Sequence, residues 1–182
     1  MNKKKSPVKK AAFSHLDEHG RVNMVDVSGK ERSPRTAIAA AAIFFEKTVF
    51  AKIISEGVSK GDILCIAKTA GIMAAKKTSE LIPLCHPVFL SNCDLKFYVN
   101  EKKHSIEIYS RAKTDDLTGV EMEAIIAAQI AAATVYDMCK ALSKKIKISE
   151  IELLYKSGGK SGVFKNENAP AEKFGRVSEW LR

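Results

Sequence analysis

The stretch TGVEMEAIIAAQIAAATVYDMCKAL, from Thr118 to Leu142, sets Glu121, Glu123, Asp137 and Lys140 into a largely apolar run. Ionisable groups in such surroundings cost free energy unless partners or a function compensate. Asp137 and Lys140 stand three residues apart, so on a helix they share a face and can form an ion pair that keeps the lysine protonated and aimed. Glu123 precedes Asp137 by fourteen residues. At about 100° and 1.5 Å per residue it returns to within about 40° of the same face, but about 21 Å away along the axis. One compact substrate cannot easily touch both from one chain. If both are catalytic, a site shared between neighbouring copies is the natural geometry. Two plainer readings stand beside this one: Glu121 completes a capping box opened by Thr118, and Asp137–Lys140 is an ordinary exposed helical ion pair. The crowding of Tyr136, Met138 and Cys139 around that pair argues against a simple solvent stripe.

Other segments add proton-transfer and anion chemistry. LIPLCHPVFL holds His86 between Cys85 and Pro87 in a turn stiffened by proline on both sides, where an imidazole can transfer protons or donate to phosphate. KSGGKSG frames two glycines with Lys156 and Lys160. Glycine lets the backbone approach an anion and lysine supplies charge, although the run is not a Walker A loop. Arg35 in ERSPRTA, Lys60 in SKGD and the helix lysines Lys76 and Lys77 matter only if the fold gathers them. The four cysteines form no C-x-x-C pair, so no zinc or dithiol site is spelled out.

The elements that must position these groups follow from period and punctuation. Residues Arg21 to Val27 alternate in strand fashion, and Ala37 to Phe45 is taken as a strand despite its alanines, with a helix after it through Ile54. Glu56 to Asp62 is a loop. Asp62 to Leu81 has helical spacing and ends before Pro83. Strands are expected over Val88 to Val99 and Ser105 to Lys113, then a long helix from Gly119 to about Leu142 and a strand from Ile148 to Tyr155. The residues beyond Phe164 have no clear period. This order is that of a ferredoxin-like α+β domain, an antiparallel sheet with helices on one face. The expected organisation is a disordered basic arm over 1–12, one catalytic domain over 13–165 and a tail over 166–182.

The 182 residues carry a formal net charge of +9. Five lysines of the first decapeptide supply +5, which leaves 25 basic against 21 acidic residues, or +4, elsewhere. That excess suits an anionic small-molecule pocket. A nucleic-acid module would stack bases on sheet aromatics; only Phe97, Tyr98 and Tyr109 cluster, and no RNA-binding string surrounds them. No apolar run approaches the ~20 residues of a membrane span and no secretory signal opens the chain, so neither membrane nor nucleic acid is expected and the location read is cytoplasmic.

Taken in order, MVDVS from Met24, KGD from Lys60, AGIMAAKKTSELIPLCHP from Ala70, TGVEMEA from Thr118, TVYDMCKAL from Thr134 and LLYKSGGKSG from Leu153 resemble the cyclic pyranopterin monophosphate synthase family of molybdenum cofactor biosynthesis. The resemblance spans about residues 13–165. It implies a ferredoxin-like enzyme that converts (8S)-3',8-cyclo-7,8-dihydroguanosine 5'-triphosphate to cyclic pyranopterin monophosphate and pyrophosphate. It further implies a homohexamer, a trimer of dimers, with sites between subunits. Carried over by motif, Asp137 is the principal acid–base residue and Lys140 a proton donor. Leu84, Cys85, His86, Glu121, Met122 and Glu123 line the substrate site, and Arg35, Lys60, Lys76, Lys156 and Lys160 are its basic residues. Magnesium would enter with the triphosphate; no motif demands a protein-held metal. Asp115 and Asp116 depart from the family's usual neutral turn before the long helix.

Overall fold

Alanine is a helix former, yet Ala37 to Ala42 and Ile43 are buried in the central strand of a sheet, each no more than 2% exposed. Tertiary packing overrides propensity here, because small side chains in a fully covered strand let a helix approach closely. The computed structural model describes residues 14–56 and 62–181. Strands β1 (Ser33–Phe44), β2 (Asn92–Asn100), β3 (Ser105–Asp116), β4 (Lys147–Ser157) and β5 (Phe164–Lys165) form one antiparallel sheet in the order β2-β3-β1-β4-β5. The helices are α1 (Lys47–Glu56), α2 (Asp62–Ala75), α3 (Thr78–Leu81), α4 (Glu121–Cys139) and α5 (Ala171–Leu181).

Helices α2 and α4 pack on one face of the sheet, as expected of the α+β architecture. Ala124, Ala127, Ala128, Ala131 and Ala132 of α4 are buried against Ala37, Ala39 and Ala41 of β1 and the β3 residues Ile106, Ile108 and Ala112. Gly71 of α2 lies so close to α4 that an added Cβ would stand 2.8 Å from the Ala127 carbonyl oxygen. By length and composition α4 reaches what a membrane span requires, and half of it is buried inside the protein. It is the core helix, and its alanines account for both properties.

Three expectations need correction. Arg21 to Val27 forms no strand; Leu16 and Val22 make an isolated bridge, and a turn built on Asp17, whose carboxylate accepts the His19 and Arg21 amides, begins the segment. Both edges of β1 are already taken by β3 and β4, so Val25 and Val27 line a cavity instead. The helix expected over 62–81 is two, and Lys76 and Lys77 stand in the turn between them. The residues that showed no period form α5 on the other face of the sheet. There Val177 and Trp180 join Ile38, Ala40, Tyr109 and Leu154, and Lys96 and Arg111 lie against the indole at 4.7 and 4.6 Å. The pair Tyr98–Tyr109 is edge-to-face beneath this helix, with the Arg176 guanidinium over Tyr98.

Candidate functional site

Four segments converge at the N-terminal end of α4. The loop before β1 brings Val25, Val27 and Lys30; the turn after α3 brings Leu84, Cys85 and His86; the start of α4 brings Glu121, Met122 and Glu123; and the loop after β4 brings Ser161. With Ser14 and His15 they enclose a cavity of about 460 Å³. A second cavity of about 760 Å³ adjoins it, lined by Lys30, Arg32, Arg35, Gly159, Lys160 and Ser161 among others. Lys30 and Ser161 belong to both walls. Each volume is in the range of small-molecule sites. The two differ in balance: two carboxyls, a thiol and two imidazoles beside Lys30 in the first, and four cations with glycine backbone against the single carboxylate of Glu31 in the second.

Within the first cavity, Glu123 is 4% exposed. Burial pushes its carboxyl up to about 7, opposed by its backbone hydrogen bond and reinforced by the charge of Glu121. A carboxyl balanced near neutral pH can both give and take a proton. Burial, with Glu123 adding to it, also raises the Cys85 thiol, which favours its neutral form. Asp26 is held below the usual carboxylate range by the Ser28 hydroxyl and amide, with a further contribution from His86.

Glu121 is not part of a capping box. The residue at the cap is Val120, without a side-chain hydrogen bond; Thr118 stands two residues too early and lines the cavity. The Glu121 carboxylate folds back over Gly119, where a Cβ would meet it at 1.8 Å, and reaches Lys156 Nζ at 4.0 Å. Lys156 also contacts the Ser161 hydroxyl, tying the glycine loop to the start of α4.

Arg35 is fixed from two sides. Its Nε donates to the Asp116 carbonyl at 2.8 Å and its second terminal nitrogen to the Leu117 carbonyl at 3.0 Å, so the acidic turn before α4 contributes backbone oxygens. Gly158 and Gly159 press against the same strand with φ of +95° and +69°. A Cβ on Gly158 would lie 2.3 Å from the Pro34 carbonyl oxygen, and one on Gly159 2.2 Å from the remaining terminal nitrogen of Arg35. Glycine is required for that approach.

The sequence-derived residues therefore divide. Leu84, Cys85, His86, Glu121, Met122 and Glu123 meet in the first cavity, Arg35 and Lys160 in the second, and Lys156 lies between them. Asp137 and Lys140 form an exposed pair at 2.5 Å at the opposite end of α4, and hydrogen bonding to Asp137 raises the lysine. Lys76 is exposed near Cys93, whose thiol burial pushes up to about 11. Lys60 lies outside the described residues. Among the described residues no group of three His, Cys, Asp or Glu could hold a metal ion. Sequence reasoning missed His15, Lys30, Arg32 and Ser161. Lys30 and Arg32 lie in the polar loop that precedes Arg35, and Ser161 follows Lys160, so proximity to singled-out cations was the available signal.

The sequence profile of the MoaC family matches residues 24–159. A protein of Nitratidesulfovibrio vulgaris named cyclic pyranopterin monophosphate synthase is 51% identical over 158 residues, covering 87% of this chain and 98% of its own. Proteins of the same name from Clostridium acetobutylicum and a Geobacillus species are 49% and 46% identical, over 84% and 90% of this chain and 94% and 97% of theirs.

Proposed function

Since the chain belongs to the MoaC family, an enzyme family of molybdenum cofactor biosynthesis, we propose that it converts (8S)-3',8-cyclo-7,8-dihydroguanosine 5'-triphosphate to cyclic pyranopterin monophosphate with release of pyrophosphate. The observation that carries this reading is the pair of adjoining cavities, one with groups for proton transfer and one cationic. A purine-derived ring suits the first and a triphosphate the second.

In this reading Leu84, Cys85, His86, Met122 and the two glutamates surround the ring system. Rearranging a five-membered ring into a pyran requires repeated proton transfers, for which a buried carboxyl near neutrality is suited. Forming the cyclic phosphate joins a substrate hydroxyl oxygen to the α-phosphorus as the bond to pyrophosphate breaks; the hydroxyl proton passes to a base. The charge that develops on pyrophosphate is met by Arg35, Lys156 and Lys160, with Lys30 and Arg32 beside them. Lys60 and Lys76 complete the basic set carried over by motif.

Asp137 is the principal acid–base residue and Lys140 a proton donor, and both serve the cavity of a neighbouring copy. The support is the length of α4 between Glu123 and Asp137. The assembly that follows is a homo-oligomer, read as a hexamer of three dimers, acting in the cytoplasm. The test is turnover of the cyclised dihydro-GTP with pyrophosphate measured. Wild type is expected to release pyrophosphate and the pterin; a folded protein that releases neither contradicts the assignment.

A further inference from the structure

The glycine loop is anchored in part by two residues beyond the family match, Asn166 and Lys173, since the match ends at 159. We propose that Glu152, Asn166 and Lys173 form a clamp that aims the loop over 158–163 at the two cavities, making them positioning residues for the anionic end of the substrate. The proposal rests on the reading of that loop as a phosphate contact.

The loop is a hairpin connection whose first strand, β4, carries Lys156 and whose second, β5, is only two residues long. Phe164 and Lys165 pair with Lys156 and Tyr155, so β5 fixes the backbone of the lysine. Two paired residues hold little by themselves. What holds β5 is Asn166: its amide donates to the Leu154 carbonyl at 3.0 Å, and its side-chain nitrogen donates to Glu152 Oε2 at 2.9 Å and to the Leu153 carbonyl at 3.3 Å. The other Glu152 oxygen accepts from Lys173 Nζ at 2.5 Å. Lys173 also donates to Glu150 at 2.9 Å and is 4% exposed. Glu150 adopts φ of +54° where β4 falls out of register with β1. One carboxylate thus joins the strand before the loop, the residue after it and the C-terminal helix.

Burial of an ammonium with two carboxylates is costly unless all three are satisfied, so removing Lys173 leaves two charges in its place and loosens Glu152 from both partners. The consequence reaches the cavities through β5, because among the described residues Lys160 and Ser161 lie in a loop held by its ends, by the Gly162 amide donating to the Gly159 carbonyl and by the Lys156 contact. A cation moved away from the anion attracts it less, since their interaction falls with distance.

Calorimetric titration of the full-length protein with inorganic pyrophosphate tests this, alongside steady-state kinetics on the cyclised dihydro-GTP. Asn166→Ala and Lys173→Met should each weaken pyrophosphate binding about tenfold, a change of about 1.4 kcal/mol. They should raise KM and, because the same cations meet the charge that develops on pyrophosphate, lower kcat as well, and Lys173→Arg should restore both. Ile53→Ala, a core substitution in α1 away from the clamp, should lower the melting temperature yet bind pyrophosphate as wild type does. Normal binding in Asn166→Ala and Lys173→Met, with Lys160→Ala impaired, would overturn the clamp and leave the loop reading intact. Equal weakening in Ile53→Ala would also overturn it, since general destabilisation would then suffice. Normal binding in Lys160→Ala would overturn the loop reading and the clamp together.

Discussion

Glu123 and Asp137 ride on one helix, fourteen residues and about 21 Å apart, the first buried in a cavity wall and the second open to solvent beside Lys140. The two acids therefore stand at opposite ends of α4, and in the proposed reaction each completes the site with a group from a neighbouring copy.

The buried half should show in stability. When folded, the Glu123 carboxyl titrates near 7 against an ordinary value of 4.5. Between those pH values the native state holds more protons than the unfolded state, so this group lowers stability as pH rises through the window. The loss is complete above the folded value, at ~3 kcal/mol. Glu123→Gln is expected to flatten that dependence and to be more stable than wild type near pH 8, as measured by denaturant unfolding across the range.

Asp137→Asn should behave in the opposite manner. The side chain is exposed, so melting temperature and oligomer size are expected to stay as in wild type. Turnover should fall by about 10²–10⁴, the contribution of a positioned acid–base group. Pyrophosphate release by the purified variant measures this directly.

Alanine at two glycines separates backbone strain from crowding. Gly159 and Gly162 both have positive φ, at +69° and +63°, but only at Gly159 would a Cβ strike Arg35. Each substitution should cost about 1–2 kcal/mol of stability from the left-handed backbone. Gly159→Ala should in addition weaken pyrophosphate binding, because Arg35 must leave the Asp116 and Leu117 carbonyls, whereas Gly162→Ala should not. Paired calorimetric titrations of the two variants read the difference.

Helix α5 should contribute to stability through Trp180, which is 5% exposed between two cations. Trp180→Ala is expected to cost about 3–5 kcal/mol, seen as a lowered melting temperature.

Most of the sheet and the two long helices were legible in the sequence because period and punctuation agreed there: Ser105 and the turn before it begin β3, and the helical spacing after Asp62 holds until Lys76. The exceptions have physical causes. Val22 to Val27 alternates as a strand does, but no free edge of β1 was available to it. Glu121 stands at capping-box spacing from Thr118, yet its carboxylate turns back toward Gly119 and Lys156. Helix α5 is short and mostly polar; only Val177 and Trp180, with Lys173 neutralised by two glutamates, mark its buried face, and a buried lysine gives no apolar signal. The first cavity was foreseeable from LCHP and VEME, both strings leading to its wall. Lys30, Ser161 and the clamp on Glu152 depend on side-chain contacts made by loops and by the C-terminal helix, which spacing along the chain does not reveal.

The shared site is tested most directly by subunit mixing. Glu123→Ala and Lys140→Ala proteins, each inactive alone, are unfolded together in equal amounts, refolded and assayed for pyrophosphate release from the cyclised dihydro-GTP. If one copy supplies Glu123 and its neighbour Lys140, about a quarter of the sites in random oligomers pair two intact halves, and activity should return to about that fraction of wild type. A mixture that remains inactive after exchange of subunits has been verified would contradict a site built from two copies.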